Sequence, residues 1–138
     1  MKIREMTAGD YDAACGLWNR TKGMGLSRAD SREAIGRFLD RNPGLSLVCE
    51  TEDGMLAGTA LCGHDGRRGY LYHVAMEEAY RGQGWGRRLA EGCLERLRGE
   101  GIGKCHLMVV DTNEVGRDFW SGTGWQYRGN ILLYSRDA

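Results

Sequence analysis

A chain of 138 residues with 41% apolar side chains is long enough to bury one core without metals or disulfides, so a single domain over residues 1–138 is expected. Nineteen basic and nineteen acidic residues cancel, which argues against a general affinity for nucleic acid or other polyanions. No N-terminal apolar segment and no apolar run of about 18 residues is present, so neither a secretory signal nor a membrane span is expected, and a cytoplasmic location is the simplest reading.

Lys2 to Met6 reads as a first strand. From Asp10 onward, Tyr11, Ala14, Cys15 and Trp18 recur at helical spacing and predict an amphipathic helix. Thr21 to Ala29 reads as a loop. A second helix is expected from Asp30, with Asp30 and Glu33 as a capping box, burying Ile35, Phe38 and Leu39 and stopping before Pro43. Leu45–Thr51 and Met55–Cys62 are strand-like around an Asp53-Gly54 turn, a strong hairpin signal. After a polar turn from His64 to Gly69, Tyr70 to Met76 forms the next strand. A helix is expected from about Gly84 to Arg98, with Leu89, Cys93 and Leu97 on one stripe. Cys105 to Val110 reads as a strand, and Asp111 or Thr112 caps a short helix through about Ser121. Trp125–Tyr127 and Ile131–Ser135 are expected to be terminal strands. The five cysteines, Cys15, Cys49, Cys62, Cys93 and Cys105, are odd in number and form no Cys-x-x-Cys pair, so they are read as core fillers and not as metal ligands.

The densest chemical signal is Arg81-Gly82-Gln83-Gly84-Trp85-Gly86-Arg87-Arg88, between a strand and a helix. Alternate glycines free the backbone to turn and to approach a ligand closely, and the helix start supplies unpaired N–H groups and a favourable dipole for an anion. Arg67, Arg68, Arg81, Arg87 and Arg88 lie within one central segment, a local positive charge that suits one small anionic ligand. The spacing excludes a dinucleotide fingerprint, because Arg87 and Leu89 stand where the third glycine is required, and no Gly-Lys-Ser/Thr makes a P-loop. What it matches is Arg/Gln-x-x-Gly-x-Gly/Ala, through Arg81, Gly84 and Gly86.

Those residues, with Val74-Ala75-Met76 and Glu77-Glu78-Ala79-Tyr80 before them, resemble the pyrophosphate-binding motif of the GNAT N-acetyltransferases. Asn113, Gly116, Phe119, Trp120, Gly124 and Trp125 resemble the family's second pattern, Asn-x-x-Ala-x-x-Phe-Tyr-x-x-x-Gly-Phe. The resemblance implies an α/β (α+β) fold with a mixed, mostly antiparallel twisted sheet of about 6–7 strands and four helices. It also implies acetyl-CoA as co-substrate, no metal, and a small-molecule or peptide amine as the acetyl acceptor. Backbone N–H groups of Gly82, Gln83, Gly84, Trp85, Gly86 and Arg87, beside Arg81, would hold the pyrophosphate. Val74 and Met76 would pair with the pantetheine arm, and Asn113 and Phe119 would line the CoA channel. Trp85 either covers the adenine or packs. The terminal strands of this fold often meet in dimers, so a homodimer is among the expectations.

The catalytic groups follow less directly. Trp120 stands where the family often has a tyrosine that protonates the leaving thiolate, and an indole can donate a hydrogen bond without giving up its proton. Strand alternation places Tyr70, Tyr72, Val74 and Met76 on one face and Leu71, His73 and Ala75 on the other. Tyr72 and Tyr70 are then the base candidates by position. A free phenol, with a pKa of about 10, is a poor base, so a water relay near Tyr72 is expected and His73 is set aside as facing away. The amine acceptor is expected among Thr21–Ser31 and His64–Arg68, where Asp30 and Asp65 either attract a cationic amine or serve as cap and turn. The competing function is a catalytically weak acyl-CoA-binding sensor.

Overall fold

The computed structural model describes residues 1–138 and divides them into two compact units, Met1–Met108 and Val109–Ala138. In the first, β1 (Lys2–Glu5), β2 (Leu47–Glu50), β3 (Leu56–His64), β4 (Gly69–Met76) and β5 (Cys105–His106) form one sheet in the order β1-β2-β3-β4-β5. Every neighbouring pair is antiparallel except β4 and β5, which run parallel. The β2–β3 hairpin closes as its Asp53-Gly54 sequence predicts, with Gly54 at φ +85° and the Thr51 N–H donating to the Met55 carbonyl.

Helices cover both faces of this sheet. On one side α1 (Tyr11–Arg20) and α2 (Arg32–Arg41) bury Ala14, Leu17, Trp18 and Ile35 against Met6, Val48, Leu61 and Ala75. On the other, α3 (Trp85–Gly99) buries Leu89, Ala90, Cys93 and Leu97. Small residues on both sides allow the close approach: an added side-chain carbon at Gly69 of β4 would run into Leu97, and one at Gly92 of α3 into Leu47. Strand alternation sorts the residues, since Val48 joins the α1–α2 core while its neighbours Leu47 and Cys49 are fully buried outside it. Each buried leucine removes enough apolar surface from water to contribute on the order of 2 kcal/mol. Cys49, Cys62 and Cys93 are buried free thiols, the core role expected of them, while Cys15 and Cys105 are half-buried.

The second helix starts differently from the expectation. Its cap is Ser31, whose hydroxyl accepts from the Ala34 N–H at 3.1 Å, and not Asp30. Asp30 instead ends a single 3-10 turn, Arg28–Asp30, that Ser27 caps. The change releases the Asp30 carboxylate from the helix and turns it toward β4.

The second unit holds α4 (Glu114–Gly122), begun by Asn113, whose Oδ1 accepts from the Gly116 N–H at 3.0 Å. The cap is thus Asn113, where Asp111 or Thr112 was expected, and the strand expectations for the end of the chain fail as well. Trp125–Tyr127 and Ile131–Ser135 form no strands, and the strand expected over Cys105–Val110 is confined to Cys105–His106, so the sheet has five strands where about 6–7 were expected. Apolar β-formers make a strand only where a ladder and a packed face receive them, and Ile131, Leu132, Leu133 and Tyr134 are all largely exposed.

Candidate active site

The glycine loop is fastened to the end of β4. Arg81 sends its Nε to the Met76 carbonyl at 2.9 Å, and the Glu77 N–H donates to Ala57 across the sheet at 2.8 Å. Gly82 and Gly84 lie at φ +74° and +88°, in the left-handed region that a side chain disfavours. Gly84 is also the residue that begins α3, with no side chain to cap it and no acidic residue in the first turn. The first rung runs from the Arg88 N–H to the Gly84 carbonyl at 3.1 Å. The N–H groups just before it therefore lack intrahelical acceptors and carry the positive end of the helix dipole. Arg87 and Arg88 are exposed beside them, and the Arg88 guanidinium lies 4.3 Å over the Trp85 ring.

Beyond this loop β4 has an open edge. Its parallel ladder with β5 consists of Gly69 opposite Cys105 and Tyr70 opposite His106, and stops there. Past Leu71 this edge of β4 has no strand partner as far as Met76, whose carbonyl Arg81 takes; Val74 and Met76 were expected to act in this region.

The other edge carries a bulge. Thr59 pairs with Ala75 and Leu61 with Tyr72, so His73 and Val74 together oppose Ala60. His73 takes φ +48°, a left-handed conformation for a non-glycine residue, which costs on the order of 1–3 kcal/mol. The strain is held by a chain of hydrogen bonds. The Trp18 indole donates to the Thr59 hydroxyl at 2.9 Å, and that hydroxyl donates to the His73 carbonyl at 2.7 Å.

This bulge corrects the facing derived from alternation. Directly paired residues share a face. Tyr72, opposite Leu61, and Ala75, opposite Thr59, both lie on the α1–α2 side, whereas Met76 pairs with Gly58, and through it with Cys49, on the α3 side. The His73 ring sits 4.7 Å from that of Trp18, so it too is on the α1–α2 side, with the tyrosines and not opposite them. There its Nε2 meets Asp30 Oδ1 at 2.7 Å, with both side chains largely buried at 14% and 12% exposure. The second Asp30 oxygen accepts from the Ser27 N–H at 2.9 Å, and the Tyr11 hydroxyl donates to the Asp30 carbonyl at 2.6 Å. The sequence shows both residues, but nothing in it marks the inserted position that joins them.

Tyr70 and Tyr72 stack at 6.5 Å, Phe38 meets Tyr72 edge-on at 6.2 Å, and His106 lies 6.0 Å from Tyr70. Burial pushes the Tyr72 phenol above its ordinary range, with Tyr70 and Cys105 adding to the effect, so it holds its proton more tightly than a free tyrosine. Asp65 does not face this row as a free acid. Its carboxylate takes the Arg67 and Arg68 N–H groups at 2.8 Å each, which hold it below the usual carboxylate range and make it a turn residue. In the second unit, Trp120 packs edge-to-face between Phe119 at 4.8 Å and Trp125 at 5.2 Å. No group of three or more His, Cys, Asp or Glu side chains is arranged to hold a metal, and no helix is long and apolar enough to cross a membrane.

Residues 11–125 match the family described as the acetyltransferase (GNAT) family. An acetyltransferase of Pectobacterium atrosepticum is 34% identical over 117 residues, covering 83% of this chain and 80% of that protein. Among solved structures, Ard1 from Thermoplasma volcanium superposes with a TM-score of 0.78 at 18% identity, covering 89% of this chain and 80% of its own. N-acetylglutamate synthase from Neisseria gonorrhoeae, determined with coenzyme A and N-acetyl-glutamate, gives a TM-score of 0.69 at 22% identity, over 86% of this chain and 27% of that one.

Proposed function

Because this chain belongs to the GNAT acetyltransferase family, we propose that it moves the acetyl group of acetyl-CoA to a primary amine of a small molecule or peptide, by direct attack in a ternary complex. The observation that carries the reading is the continuity of two features: a glycine-capped helix start with unpaired N–H groups, and a strand edge without a ladder leading away from it. A pyrophosphate suits the first and an amide-bearing pantetheine arm the second. In this reading the backbone of Gly82, Gln83, Gly84, Trp85, Gly86 and Arg87 binds the phosphates, and Arg81 acts by fixing the loop to Met76. Val74 presents its main chain to the pantetheine. The Met76 carbonyl is already taken by Arg81, which leaves its N–H for that role. By motif alone, Asn113 and Phe119 are further CoA contacts, and Trp120 a hydrogen-bond donor near the thioester. The family match spans residues from both compact units, which supports treating 1–138 as one catalytic domain. Tyr70 and Tyr72 line the amine side of β4 as apolar walls.

A panel of primary amines, read by release of CoA thiol from acetyl-CoA, tests the proposal. Amine-dependent release supports transfer, whereas tight acetyl-CoA binding without release across the panel supports a sensor.

A further inference from the structure

We propose that His73 and Asp30 act as a pair on the attacking amine, with His73 taking its proton and Asp30 holding the ring. The inference rests on the acetyl-transfer reading. A carboxylate only accepts hydrogen bonds, so the 2.7 Å contact with Asp30 places the ring proton on Nε2 and the lone pair on Nδ1. Imidazole is the side chain suited to exchanging a proton near neutrality, and a carboxylate behind it fixes the tautomer and steadies the charged form.

A histidine that merely filled space would not require this setting. Asp30 is itself immobilised, by the Ser27 N–H on its second oxygen and by the Tyr11 hydroxyl on its carbonyl. His73 is the one non-glycine residue of the chain with a positive φ, and the bulge that imposes it puts the ring 4.7 Å from that of Trp18, on the α1–α2 face that also carries Tyr72. Trp18 and Thr59 hold the strained backbone through successive hydrogen bonds. His73 lies three residues before the end of β4, on the stretch whose outer edge has no ladder, where the proposed donor would run.

The ammonium form of the acceptor loses one proton to His73 Nδ1, and the freed lone pair forms the N–C bond to the thioester carbonyl carbon. The C–S bond then breaks, the second nitrogen proton passes through water to the departing thiolate, and His73 returns its proton to solvent. Amide and CoA thiol result, with one proton released.

The test compares the unaltered protein with His73→Asn, chosen because asparagine tolerates left-handed backbone, and with Asp30→Asn. Each is assayed with an alkylamine acceptor from the panel and with its β,β,β-trifluorinated analogue, whose nitrogen is largely neutral near neutral pH. Acetyl-CoA affinity, measured by calorimetry, reports an intact donor site. We expect His73→Asn to lower kcat with the alkylamine by about 100-fold or more and to keep acetyl-CoA affinity within about twofold, with a loss below about tenfold for the fluorinated amine. Asp30→Asn, removing a positioning residue, should lower alkylamine kcat by about tenfold with KM for the amine unchanged. Equal losses for the two amines, or kcat in His73→Asn within about threefold of the unaltered protein, overturn the pair as proton acceptor. Failure of the unaltered protein to release thiol with any amine overturns the transfer reading, and the pair with it.

Discussion

Gly84 and Gly99 show how one residue type has two values in the same helix. An added methyl meets nothing within 4 Å at either, but Gly84 is held at φ +88° while Gly99 is an ordinary helical residue. Gly84→Ala should therefore strain the loop by about 1–2 kcal/mol and weaken acetyl-CoA binding roughly tenfold by calorimetry. Gly99→Ala should stabilise the fold by up to about 1 kcal/mol in urea denaturation and leave that affinity alone. Thr59 is a sharper case, because its fully buried hydroxyl accepts from Trp18 and donates to His73. Thr59→Val keeps the shape and leaves a buried indole N–H unpaired, so urea denaturation should show a loss of about 1–3 kcal/mol. If stability is unchanged, the Trp18–Thr59–His73 chain is not holding the bulge.

At the level of elements, β4 determines what faces what, and the bulge in it decides how much of the site the sequence reveals. The glycine loop was legible because spacing alone separated it from other phosphate cradles, and the hairpin at Asp53-Gly54 because its turn chemistry is local. The facing of His73 was not, since a single extra residue in a ladder reverses alternation beyond it without changing the composition of the strand. The terminal strands were over-read for a related reason: Ile131 to Tyr134 have strand-like side chains, but a strand also needs a partner. Tyr72 is the exposed member of the aromatic row. Tyr72→Ala should raise KM for the amine several-fold and leave acetyl-CoA affinity unchanged in the same assays. A separate contact ties β1 to β2 and to the turn before α1: Arg4 makes paired 2.9 Å bonds to Asp10 and a 2.6 Å bond to Glu50. Arg4 holds the Asp10 carboxyl below the usual carboxylate range, with the Thr7 N–H adding to the effect. A depressed folded pKa stabilises above the unfolded value, about 3.9, and the contribution is lost as pH falls through the folded value. Asp10→Asn should thus lower Tm at pH 7 and flatten the fall in Tm below about pH 4.

For the whole molecule, net charge near zero and a local cluster of arginines predict selective and not general anion binding. Raising salt should weaken acetyl-CoA binding modestly, while RNA retention should be negligible at every salt concentration. Family and donor were readable at this scale because two motifs and the order of elements agree along most of the chain. The Asp30–His73 contact and the aromatic row were not, because they exist only once the strands are assembled. The central claim is that this assembly transfers acetyl groups, and the measurement that bears on it most directly is thiol release from saturating acetyl-CoA in the presence and absence of primary amines, with the acetylated product identified by mass. Release should be amine-dependent, proportional to protein, and matched one-to-one by N-acetylated product. Acetyl-CoA binding with no amine-dependent release across the panel would contradict it.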